Sequence, residues 1–305
     1  MALGDIMNAM RGGTPLSPAD RPRTGLLQGL TVTPPILDPR YITKLVAKSD
    51  ATSQYSRSGG TDRYMHLSSL IGACPREHAI SQQYARDTPV STTTWGSMKM
   101  VWAIGRAVEK HIRDSVIKAR NFVGIYGVWT CACGESYYEG EYLGPNRCRI
   151  CRKSVNRYKE PALRNDFGMV VGSPDITMIE MGHIVAVEIK SMNKEQFDAL
   201  EDPLADHILQ ACGYRWLYEY LGFKVHDKVI IMYGRKDFKF GGTHSVYKEY
   251  HVDYRPWAAQ IEQMMTIGRQ VANSYETGIL PPRTCENVTC TRAKSCTRTV
   301  LCFGL

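Results

Sequence analysis

The chain has no apolar run long enough to cross a bilayer, no secretory signal pattern and no internal repeat. Those absences exclude a helical membrane protein and a solenoid. With no export signal, the ten cysteines are expected to meet a reducing cytoplasm, where thiols bind metals rather than pair as disulfides. An excess of one charge sign is also small: 38 Lys and Arg stand against 30 Asp and Glu, a formal +8. Four thiolates around a divalent ion carry −2. Two such sites would bring the balance nearer +4, so bulk charge is only a mild pointer to a polyanionic partner.

What is present is more specific. Gly172-Ser173-Pro174-Asp175 is followed by Val187-Glu188-Ile189-Lys190. The apolar residues between them, Ile176, Met178 and Ile184 to Val187, read as two strands around a polar break at Met181-Gly182. On the second strand Glu188 and Lys190 are two apart and share a face. Asp175, on the neighbouring strand, can reach the same divalent ion as Glu188. Mg²⁺ or Mn²⁺ takes such oxygen ligands and can hold a water against a phosphate. Lys190 would orient that water or offset charge on phosphorus. An amphipathic hairpin with a surface Glu and Lys is the plainer alternative.

Two helices extend the pattern. Residues 95–119 show helical periodicity with Trp102, Gly105, Ile112 and Val116 along one stripe, and Glu109 falls inside it. A carboxylate there asks for a cation, either a metal ion or a buried salt-bridge partner. Over 203–221, Gln210 and Tyr214 are i,i+4 neighbours that suit contact with a phosphate backbone. Either can also be a boundary residue.

Cys131-Ala132-Cys133 and Cys148-Arg149-Ile150-Cys151 form C-x-C and C-x-x-C pairs with 14 residues between them, the spacing of a zinc ribbon over 125–158. Around it, Arg147, Arg149, Arg152, Lys153, Arg157 and Lys159 alternate with Tyr137, Tyr138, Tyr142 and Tyr158. Such a surface can neutralise phosphates and stack bases, or simply be solvated. Cys74 lies upstream, Cys285, Cys290, Cys296 and Cys302 lie at the C-terminus, and Cys212 reads as core. The four tail cysteines alone would make a second zinc site.

The chain reads as one α/β domain over 61–305, a mixed sheet flanked by helices, behind an arm at 1–60 with a short candidate helix near Pro39–Ala47. Further strands are expected at Val229–Tyr233 and Val246–Tyr254, and a helix over 256–277.

In the order Gly105 with Glu109, Ser173 with Asp175, Glu188 with Lys190, and Gln210 with Tyr214, the chain resembles RecB-type nucleases of the PD-(D/E)xK superfamily. Glu109 stands where the commonest RecB form has His, as in related phage-type exonucleases. The resemblance implies a restriction-endonuclease-like core and a metal-dependent DNA nuclease, an exonuclease in recombination, repair or phage-type DNA processing. In the phage case the compartment is the host cytoplasm. It implies Mg²⁺ or Mn²⁺ on Glu109, Asp175, Glu188 and the Ile189 carbonyl, with Lys190 assisting and Gln210 and Tyr214 on the DNA strand.

A structure-selective endonuclease and a catalytically silent DNA-binding scaffold are the alternatives. The arm would then serve a recombination or single-strand-binding partner, and no membrane is involved. Iron–sulphur members of the group, AddB-type and CRISPR-associated exonucleases among them, place one Cys ahead of the core and three beyond. The likeness therefore implies a [4Fe–4S] cluster on Cys74, Cys285, Cys290 and Cys296, with Cys302 as substitute and a stapling tail over 281–305. This tail spaces its first pair C-x4-C where the usual form is C-x2-C.

Overall fold

The computed structural model describes residues 64–84, 95–134, 137–144, 146–167, 169–237 and 246–304, all within the compact unit Ser53–Leu305. The expected arm over 1–60 and its short helix lie outside the described residues.

Among the described residues, ten strands and seven α-helices follow in chain order: β1 Met65–His66, α1 Pro75–Tyr84, α2 Trp95–Ala119, β2 Ile125–Thr130, β3 Tyr137–Glu141, β4 Arg157–Lys159, β5 Leu163–Asn165, β6 Val170–Gly172, β7 Ile176–Glu180 and β8 His183–Met192. Then come α3 Lys194–Ala199, α4 Ala205–Tyr220, β9 Lys228–Arg235, β10 Tyr247–Asp253, α5 Ala258–Thr277, α6 Thr291–Ser295 and α7 Thr299–Phe303. The large sheet runs β10-β9-β8-β7-β2-β3, with β4 also paired to β2. A small sheet, β1-β6-β5, stands apart from it.

The β7–β8 hairpin turns on Met181 and Gly182, both in left-handed backbone conformation (φ 49° and 79°). A two-residue turn between twisted strands demands this geometry. From β8 the chain crosses through α3 and α4 to β9, which pairs parallel with β8. The mixed sheet flanked by helices is therefore present.

β8 is central and buried on both faces, which explains its unbroken apolar run. Ile184 and Ala186 face one core, with Tyr214, Leu217 and Tyr218 of α4 and Ile261 and Met265 of α5. Val185, Val187 and Ile189 face a second core, closed by Ile112 and Ile117 of α2 and by Trp129. α2 covers the expected residues, but Trp102 is 39% exposed, so the buried stripe starts at Gly105. No helix among the described residues is long and apolar enough to cross a membrane.

Candidate active site and metal centre

Asp175 sits just ahead of β7, and its Oδ2 accepts a 2.7 Å hydrogen bond from the Ile189 N–H of β8. That bond fixes the carboxylate against the neighbouring strand. Glu188, only 3% exposed, pairs with Lys190 Nζ at 2.5 Å. Lys190 also donates to Gln210 Oε1 at 2.9 Å, and Gln210 Nε2 donates to the Tyr214 hydroxyl at 2.7 Å. The expected helix thus reaches the expected strand, but Tyr214 points inward and is 4% exposed. Its hydroxyl anchors Gln210, which anchors Lys190. Tyr214, expected against a nucleic-acid strand, is thus placed below Gln210, because helical spacing fixes the side a residue faces and not its depth.

Glu109 arrives from the other face of the sheet. Ser191 Oγ donates to Glu109 Oε1 at 3.2 Å. Gly105 makes the approach possible: a Cβ there would lie 2.9 Å from Ser191 Oγ, inside normal contact distance. Arg113, one turn beyond Glu109, is ion-paired with Glu160, which follows β4. Sequence reasoning passed over both. The i,i+4 spacing from Glu109 to Arg113 was a signal for the first, whereas Glu160 carries no motif of its own.

These carboxylates feel one another. Burial raises the Asp175 carboxyl well above its ordinary range, and Glu188 raises it further, against the Ile189 N–H. Burial likewise lifts Glu188 to about 7 against the pull of Lys190. Glu160 is raised by burial, opposed by Arg113 and reinforced by Glu109. The donor set is hard oxygen with negative charge in excess, which fits a divalent cation. No three of these carboxylates bring their oxygens within 4.8 Å of one another.

The folded pKa of Glu188 lies above its unfolded value, so the folded state holds the extra proton between about pH 4.5 and 7. Without Mg²⁺ or Mn²⁺, wild type should lose stability relative to Glu188→Gln as pH rises through that window. The loss should approach roughly 3 kcal/mol and then level off. Parallel melting curves of the two proteins from pH 4.5 to 8 would check this; a constant gap would contradict it.

The ribbon cysteines converge. Cys131, Cys133, Cys148 and Cys151 bring their sulphurs within 4.8 Å of one another, among the described residues the sole such set of metal-ligating side chains. The Cys133 sulphur lies 3.6 Å from that of Cys148, close to the roughly 3.8 Å edge of a tetrahedron with 2.3 Å metal–sulphur bonds, and 2.8 Å from that of Cys131, tighter than that edge. Cys148 Sγ accepts the N–H groups of Ile150 and Cys151 at 3.3 and 3.4 Å, a turn that steadies a thiolate. This cluster can hold a metal ion. Cys148→Ser should release one metal ion per chain; elemental analysis of both proteins checks it, and an unchanged metal count would refute it.

At the other end, Cys74, Cys285, Cys296 and Cys302 line one small cavity with Glu77 and Arg292. Cys290 lies beside Cys285, whose thiol is raised chiefly by their mutual hydrogen bond, and its own sulphur accepts the Ala293 N–H at 3.3 Å. The tail is held to the front of the unit. Cys74 Sγ lies 3.3 Å from Thr284 Oγ1, Arg76 donates to Pro281 O at 2.7 Å, and Arg298 donates to Ser81 Oγ at 3.1 Å. Cys212 is buried core, as expected.

Arg147, Arg149, Arg152 and Lys153 are all exposed on the ribbon. The tyrosines between them differ from a free stacking platform. Tyr142 and Tyr158 pack on Trp129, with ring centroids 4.8 and 5.4 Å away. No family model matches the chain, and no curated protein matches it either.

Proposed function

We propose that the chain is a Mg²⁺- or Mn²⁺-dependent deoxyribonuclease of the PD-(D/E)xK type, acting as an exonuclease in recombination, repair or phage-type DNA processing. The observation that carries this reading is the joint placement of Asp175, locked to Ile189 N–H, and of Lys190, held between Glu188 and Gln210. Two carboxylates and one oriented ammonium at the end of a central strand are what phosphodiester hydrolysis asks of a protein. The order α2, β2, β7, β8, α4, β9, which gives a mixed sheet flanked by helices, is in keeping with the same reading.

Divalent ions, when bound, would bring the attacking water to the phosphate and offset the charge that builds on phosphorus. Asp175 and Glu188 offer oxygens for them, with the Ile189 carbonyl and Glu109 beside. Lys190 donates its N–H groups toward the reacting phosphate, and its two anchors keep it from swinging away. Gln210 and Tyr214 serve the reaction through Lys190.

In the same proposal the ribbon holds Zn²⁺ and the tail a [4Fe–4S] cluster. The donor sets differ in a way that supports this split. One tetrahedral ion needs thiolates gathered on a single centre, and the four ribbon sulphurs lie within 4.8 Å of one another. Cys74, Cys285, Cys296 and Cys302 line one cavity and Cys290 lies beside Cys285, and a four-iron cluster spreads its thiolates wider than a single ion does. The exposed ribbon cations would lie along the DNA backbone. Release of nucleotides from end-labelled DNA in Mn²⁺ tests the reading, and an inert protein would remove it.

A further inference from the structure

Two polar links run side by side from the sheet to α4. Lys190 of β8 and Tyr233 of β9 are register partners on adjacent parallel strands, and both reach the helix. Lys190 meets Gln210, while Tyr233 meets His207, about one turn nearer the start of α4, with its hydroxyl 2.9 Å from Nδ1. Tyr233 is fully buried, so its O–H needs an acceptor. Its oxygen accepts the Leu204 N–H at 3.1 Å, and among the described residues His207 Nδ1 is the one acceptor its proton can meet. Nδ1 therefore accepts, and the imidazole proton lies on Nε2. The ring centre is 5.5 Å from that of Tyr233 and tilted by 43°. The imidazole is also neutral, because burial and the neighbouring Lys190 ammonium pull its pKa down to about 4, against the opposite effect of Asp206. With Nδ1 turned to the buried hydroxyl, Nε2 points away from it on a half-buried residue, and no hydrogen-bond partner meets it among the described residues.

Resting on the nuclease reading above, we propose that His207 binds the DNA strand, its Nε2–H donating to a non-bridging oxygen of the phosphate next to the scissile one. The two links give the placement. In that reading Lys190, held by Glu188 and Gln210, serves the scissile phosphate. The Tyr233 link stands one strand further along the sheet, about 4.8 Å away. His207 lies about 4.5 Å before Gln210 along the helix axis, so its donor meets the backbone one phosphate along. Such polar side chains position a strand through its phosphates without reading its sequence. Lys190 beside it disfavours a cationic partner and favours an anionic oxygen. A neutral imidazole suits this place, since it donates a hydrogen bond without setting a second cation in a half-buried site. Tyr233 acts through His207 and is a positioning residue: it fixes the ring before DNA arrives, so the contact costs little ordering.

Two substitutions and a modified DNA test this. An Asn amide reaches where Nδ1 sits, and a Gln amide reaches where Nε2 sits. His207→Asn thus keeps a partner for Tyr233 and loses the outer donor, whereas His207→Gln does the reverse. With full-length, anaerobically purified protein in Mn²⁺, single-turnover cleavage of linear DNA should fall about 10- to 100-fold in His207→Asn, and His207→Gln should recover most of that loss. The reverse ranking would show that His207 only supports Tyr233 and would overturn the proposal. DNA with one neutral methylphosphonate at the linkage adjoining the cleaved one should slow wild type by a similar factor, and slow His207→Asn by less than about twofold more. Equal slowing of both proteins would overturn the contact. The tautomer is read without DNA, from ¹⁵N spectra of the histidine rings, with His207→Gln identifying the signal. A neutral ring protonated on Nε2 is expected in wild type at neutral pH, and a mixture of tautomers in Tyr233→Phe; a wild-type proton on Nδ1 would overturn the assignment. Wild type that cuts no DNA would fail the nuclease reading beneath, and affinity then decides the contact: His207→Asn that binds DNA as tightly as wild type would overturn it, and weakened binding restored in His207→Gln would support it.

Discussion

Asp175→Ala and Lys190→Ala should each lower DNA cleavage by on the order of 10³-fold or more while leaving DNA binding largely intact. The reasoning is differential. A carboxylate that holds an ion, and an ammonium aimed at the phosphate, matter most when charge accumulates on phosphorus, and less in the ground-state complex. The exposed cations of the ribbon, which would carry ground-state binding, are untouched by either change. Lys190→Ala also leaves Glu188 without its partner, so the residual activity should be low whether Lys190 orients the water or offsets charge. Glu109→Gln should be milder or shift the metal preference, since an amide oxygen still coordinates weakly. Gel-shift affinity and single-turnover cleavage, measured side by side, check the set. An Asp175→Ala protein cutting at the wild-type rate would place the activity elsewhere.

Cys74→Ala should remove the tail metal group and much of the chain's solubility. Cys74 precedes α1, while the tail cysteines lie roughly 210 residues on, so a shared metal closes most of the unit into one loop. In the chain-entropy picture that closure is worth about 5 kcal/mol, a large share of a domain's net stability. Thr284, Pro281 and Ser81 already receive or give hydrogen bonds across the same seam, but singly these contribute about 1 kcal/mol each. Anaerobically purified wild type should be brown, with absorbance near ~400 nm, and Cys74→Ala colourless. Colourless wild type carrying two zincs per chain would sink the iron–sulphur reading.

Elements with strong local signals were legible in the sequence. The β7–β8 hairpin follows from the apolar runs on either side of Met181-Gly182, α2 from its period, and the ribbon cluster from cysteine spacing, because each is decided within a few residues of itself. The β1-β6-β5 sheet was not legible. Its strands are two and three residues long, and β1 pairs with a segment about a hundred residues away, Met65 with Val170. Glu160 was hidden for a related reason: its neighbours are set by the pairing of both β4 and β7 to β2, which no local pattern announces. The inward turn of Tyr214 and the packing of Tyr142 and Tyr158 on Trp129 were missed because sequence spacing shows faces but not what covers them.

The most direct assay incubates full-length wild type, with its resident metals, with Mn²⁺ and four substrates, linear and circular DNA in single- and double-stranded form. The proposed exonuclease degrades linear DNA from its ends, spares the circles, and stops when Mn²⁺ is chelated. Protein that binds Mn²⁺ and cuts none of the four would contradict the nuclease proposal and leave a DNA-binding scaffold in its place.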